Sequence, residues 1–148
     1  MANDVRQMRE MSTHVQTAYK EAVDNIIFLK RQQWAATNYA ILVYAAIFVI
    51  SGAYFSRTDF ARNTLGVITL ITFGIHWYMV YVFQRAISRF QHRLGWIYQT
   101  YFSGEEQARL DLPLEPPSDR EQWEVAAGLM LVSLVGAVFT AIYLWSVR

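Results

Sequence analysis

The chain has no cysteine, which excludes disulfides, thiolate metal sites, cysteine-ligated iron–sulfur clusters and cysteine nucleophiles. Its only prolines, Pro113, Pro116 and Pro117, crowd into one short segment, so no proline breaks a helix elsewhere. Asp, Glu, Lys and Arg are missing altogether from three stretches, 37–55, 64–83 and 125–147. Catalytic signatures are also missing: there is no GxGxxG, P-loop, HExxH or GxSxG. His14, His76 and His92 are too dispersed for a zinc site. Acid pairs occur only in the proline-rich segment, where no burial would raise a carboxylate pKa. These absences predict a protein that is not an enzyme and carries no cofactor or metal.

What is present fits lipid. Each uncharged stretch is about 20 residues long, enough at about 1.5 Å per helical residue to cross a hydrocarbon core of about 30 Å. Mean hydropathy is only +0.15 although 54% of residues are hydrophobic, because the charges are segregated outside the three stretches. With three spans among 148 residues, no separate soluble enzyme domain is expected. The expected fold is an all-α membrane protein with three transmembrane helices, the first two extended into a cytoplasmic antiparallel helical hairpin. Its segments are a cytoplasmic amphipathic helix (1–35) continuous with the first span (36–55), an outer loop (56–63) and the second span (64–83). A cytoplasmic amphipathic helix (84–103), an acidic proline-rich linker (104–118) and a third transmembrane helix (119–148) follow. The first 35 residues lack the apolar core of a cleavable signal peptide, so the first span is expected to carry targeting.

Basic residues set the orientation. Arg6, Arg9, Lys20, Lys30 and Arg31 precede the first span, and Arg85, Arg89, Arg93, Arg109 and Arg120 follow the second. The loop between carries only Arg57 and Arg62, and the tail only Arg148. The positive-inside bias then puts the N-terminus in the cytoplasm and the C-terminus outside, in the inner membrane. Trp34, Trp77, Trp123 and Trp145 stand near span ends, as interface anchors do.

Outside the spans two apolar stripes recur. Met8, Met11, Val15, Ala18, Ala22, Asn25 and Leu29 follow heptad spacing, with Asn25 or its neighbour Ile26 taking the sixth position. Phe83, Ile87, Phe90, Leu94, Ile97 and Tyr101 do the same, with Arg85, Arg89, His92 and Arg93 off the stripe. Small seam residues on one helix complement large ones on the other, so the two are expected to pack together as one seam. The second helix is expected to end near Ser103, ahead of Gly104. Seven of the twelve acidic residues lie in 104–124, either simply solvated or forming a strip for a cytoplasmic partner. Ser118 and Glu121, three apart and after Pro117, read as the capping box of the third helix.

Within the third span Ser133, Gly136, Ala137, Thr140 and Ala141 form a small-residue face, which Gly128 would extend, and such a face marks a helix contact in lipid. His76 is the one strongly titratable side chain inside a span. It reads either as a neutral histidine bonded to Ser51, Thr69, Thr72 or a carbonyl, or as a proton relay or ligand, with haem held between paired His76 residues of a dimer the remotest form. The interleaved Arg and aromatic residues of 89–98 belong to a packing stripe, and no nucleic-acid partner is expected.

A polar helix carrying Phe28-Leu29-Lys30-Arg31-Gln32-Gln33-Trp34, two spans and a basic amphipathic return helix resemble small bacterial inner-membrane proteins. Over about residues 1–103 the layout also resembles SLATT-type membrane effectors of nucleotide-signalling defence systems. The third span and acidic linker depart from that two-span pattern. The first expectation for function is an assembly or accessory subunit in the bilayer, a homo-oligomer or part of a larger complex, acting through the hairpin. The alternatives are an oligomeric permeabilising effector, the activity the resemblance would imply, for which Gly66, Thr69, Thr72 and His76 on the second span are the residues expected to face a pore, and a proton or redox subunit using His76.

Overall fold

Nothing between Ala2 and Ser51 breaks a helix, and these residues form one: α1 spans Ala2–Ala53. α2 runs Asp59–Tyr101 and α3 runs Asp119–Ser146. In this computed structural model the backbone is described for residues 2–53, 59–101 and 119–146, and side chains for 13–52, 59–101 and 123–146. All of the described residues are helical. At about 1.5 Å per residue, α1, α2 and α3 are about 78, 64 and 42 Å long, so the first two far exceed a bilayer core of about 30 Å. All three are long and apolar enough to cross a membrane.

The segment 56–63, expected as a loop, is helical from Asp59 onward. Asp59 stands in the first turn, where its charge complements the helix dipole, and Arg62 holds its carboxylate at 2.6 Å one turn along. The helix thus begins ahead of the apolar run rather than with it. α3 starts one residue after Ser118, where the capping signature placed it; Ser118 itself, residues 56–58, the expected end of α2 near Ser103 and the linker 104–118 lie outside the described residues.

Side chains pair in opposite numerical order along α1 and α2: Tyr19 meets Tyr98, Gln33 meets Gln84, and Thr37 meets His76. The two helices therefore run antiparallel. α3 runs alongside α1 in the same direction, with Tyr44 on Ser133, Phe48 on Tyr143 and Ile47 beside Leu144. It lies antiparallel to α2, where Tyr81 faces Trp123 at 5.8 Å and Leu65 joins the Ile47–Leu144 cluster.

The surface is apolar where the sequence is. Leu70, Tyr78, Val49 and Phe139 are about two-thirds exposed, while Ser133, Thr140, Thr69 and His76 are buried. A water-soluble protein sorts these residues the other way, and the distribution is compatible with helices that cross a membrane. Hydroxyls in the apolar stretches bond to their own helices: Ser51 to the Phe48 carbonyl, Thr69 to that of Leu65 and Thr140 to that of Gly136. Such back-bonds satisfy polar groups where no water is available.

Candidate functional site

The stripe that carries Ile87 and Ile97 outside the span continues inward along α2 through Gln84, Val80 and His76, all buried. On α1 the stripe of Ala22 and Leu29 continues through Gln33, Thr37, Ala40 and Tyr44. Where the two meet they form a polar contact. Thr37 Oγ1 donates to the Gln33 carbonyl at 2.9 Å and lies 3.0 Å from His76 Nε2. Gln33 Nε2 donates toward the Val80 carbonyl at 3.4 Å and Gln84 Oε1 at 3.3 Å. His76 is 3% exposed, and its Nδ1 is enclosed without a hydrogen-bond partner. Beside it a groove of about 260 Å³ opens between α1 and α2, walled by Ala36, Tyr39 and Ala40 on one side and Thr72, His76 and Met79 on the other.

The histidine's partner is Thr37, not Ser51 or Thr69, whose hydroxyls are bonded within their own helices. Thr69 and His76 are buried against neighbouring helices, and Thr72 is half-buried on the groove wall. Gln33, Thr37 and Gln84 were not anticipated. Their signal was the stripe itself, which runs without a break from each amphipathic segment into its span.

α3 docks through the small-residue face. Ser133, Ala137 and Thr140 are buried, with Gly136 and Ala141 half-buried. The Tyr44 ring lies over Gly136, where an added Cβ would meet its Cδ2 at 2.8 Å, and the Tyr44 hydroxyl is 3.1 Å from Ser133 Oγ. Gly128 does not extend this face: nothing lies within 4 Å of the Cβ position there. It stands five residues before Ser133, about 140° around the helix, so Leu129 and Ala126 continue the contact instead.

Along the two amphipathic stripes, here called the stalk, Ala22 and Ile87 are 1% exposed and Ile97 is buried, while Val15, Ala18, Leu29, Phe90 and Leu94 are half-buried. Asn25 is outside the seam; it is exposed and donates to the Glu21 carbonyl at 2.8 Å, and Ile26 takes the inward position. Tyr101, at the end of the second stripe, is exposed. Met8 and Met11 fall within α1, but their side chains lie outside the described residues. No cluster of three His, Asp or Glu side chains occurs among the described residues. The chain matches no protein-family model, no curated protein and no solved structure.

Proposed function

We propose that this is a three-span protein of a bacterial inner membrane, N-terminus in the cytoplasm and C-terminus outside, acting without catalysis as an assembly or accessory subunit. In this reading the parts of α1 and α2 beyond the spans form a cytoplasmic hairpin that binds a second copy or another subunit. The observation that carries it is a contrast along the stalk. Ala22, Ile87 and Ile97 are sealed between the two helices, yet Phe28, Ile27 and Trp96 stand outward with roughly half of each exposed. Apolar surface that faces water rather than lipid marks a contact with another protein. The basic residues flanking both helices support the orientation.

Because the chain has no cysteine, single cysteines can be placed at will. Phe28→Cys and Trp96→Cys should cross-link to a second copy or a partner in native membranes and resist thiol labelling there. Free labelling of both, with no cross-linked product, would overturn the assembly role. A C-terminal tag detected on the cytoplasmic side would overturn the orientation.

A pore built on Gly66, Thr69, Thr72 and His76 is less well supported, because Thr69 and His76 face neighbouring helices of the same chain. Dye leakage from liposomes loaded with the pure protein would favour it over the passive subunit. The proton or redox reading keeps one specific support, the unpartnered Nδ1 of His76. Its haem form requires a visible Soret band that His76→Ala abolishes.

A further inference from the structure

Thr37 has one hydroxyl hydrogen, and the Gln33 carbonyl at 2.9 Å takes it. Toward His76, 3.0 Å away, Thr37 can then only accept, so the histidine proton sits on Nε2. Nδ1 is left as a bare lone pair, enclosed and without a donor. A neutral ring is what a low-dielectric site favours, and such a ring with one nitrogen committed offers the other purely as an acceptor. The groove beside it is mostly apolar, its polar groups coming from Gln32, Tyr39, Thr72 and His76 itself, and its α1 wall sets the small Ala35, Ala36 and Ala40 beside Tyr39 and Val43. Small side chains leave room for something flat. Nδ1 has no exposed surface of its own, so a ligand reaches it only if a groove side chain moves, and Met79, unbranched and partly exposed on the α2 wall, is suited to do so.

We propose that the groove between α1 and α2 binds a lipid-soluble phenol or quinol whose hydroxyl donates to His76 Nδ1. The ligand must supply a donor, because Nδ1 supplies none. It must be apolar otherwise, because the walls are. A phenolic hydroxyl on a flat ring meets both conditions, and a quinone or ether of the same shape meets only the second. Access from the bilayer rests on the membrane placement proposed above. The test below is read on folded protein in micelles, so it can fail while orientation and assembly stand.

The probe is 4-octylphenol, compared with its methyl ether, which has the same shape and no donor. Protein labelled with ¹⁵N-histidine and ¹³C-methyl methionine reports both events: the Met79 methyl gives occupancy, and the His76 Nδ1 resonance gives hydrogen bonding. The phenol is expected to move both signals and to bind about tenfold more tightly than the ether, the worth of about one buried hydrogen bond. The ether should move the methyl alone. His76→Phe keeps a flat ring but has no acceptor, so it should weaken the phenol about tenfold and leave the ether unchanged, which also shows that the groove is intact. If that variant fails to fold, the phenol–ether comparison in the native chain still decides. Equal binding of phenol and ether would overturn the proposal. So would an Nδ1 resonance already hydrogen-bonded in the ligand-free protein, the sign of a trapped water, or a Met79 methyl that does not respond.

Discussion

Replacing Gly136 by alanine adds one methyl group at the tightest point between α1 and α3. The new Cβ would sit 2.8 Å from Tyr44 Cδ2 and 3.0 Å from Cε2. Carbon atoms pack best at about 3.5–4.0 Å, so the ring must retreat by about 1 Å. It has little freedom to do so. Tyr44 is buried between Ala40, Ala137 and Phe73, and its hydroxyl is tied to Ser133. Overpacking of this kind costs about 1–3 kcal/mol, and losing the interhelical hydrogen bond adds about 0.6 and at most about 1.7 kcal/mol in a membrane. Against this stands the better helix propensity of alanine, about 1 kcal/mol. The net expectation is a loss of about 1–3 kcal/mol. Gly74→Ala and Gly128→Ala are the controls, since nothing lies within 4 Å of a Cβ at either, and both should be neutral or slightly stabilising. Unfolding in mixed micelles by titration with a denaturing detergent, followed by tryptophan fluorescence, measures all three. In a Tyr44→Ala background the added methyl has space, so G136A should then cost nothing further, a coupling of at least about 1 kcal/mol. A neutral G136A, or one as costly with Tyr44 absent, would refute the ring-over-glycine contact.

Gln33→Leu removes a donor from Gln84 and the Val80 carbonyl and should destabilise by about 1 kcal/mol, measured in the same assay. Ile87→Ala empties one of the most enclosed positions in the stalk and should cost about 2–4 kcal/mol, with raised proteolysis of residues 13–30 in native membranes. Thr37→Val should cost less than about 2 kcal/mol yet leave His76 without its acceptor, visible as a shift of the Nε2 resonance.

Helical class and the three apolar helices were legible because they depend on what is absent: charge within the runs and proline outside the linker. The small face of α3 was legible for the same local reason, and Ser133, Ala137 and Thr140 are buried as side chains on such a face are. Register was not legible. Which residue of α1 meets which of α2 depends on where one helix stops and the next starts, and Asp59 begins α2 within the stretch read as loop. Thr37 and Ser51 stand fourteen residues apart on α1, and only the register decides which of them lies opposite His76. The glutamines were missed because Gln33 and Gln84 stand just beyond the uncharged runs, where a polar residue ordinarily faces water or headgroups. Only the continuity of the two stripes through them points inward. Asn25 shows the converse: heptad counting placed it in the seam, but a straight helix of 3.6 residues per turn drifts off a strict seven-residue repeat and brings Ile26 there instead.

The measurement that bears most directly on the stalk and its orientation is cross-linking of Tyr19→Cys with Tyr98→Cys in sealed vesicles by a short, membrane-impermeant bis-maleimide. The ring centroids of these tyrosines lie 6.0 Å apart. The account predicts an intramolecular link that forms in inside-out vesicles and not in right-side-out ones. A link in right-side-out vesicles, or no link in either, would contradict it.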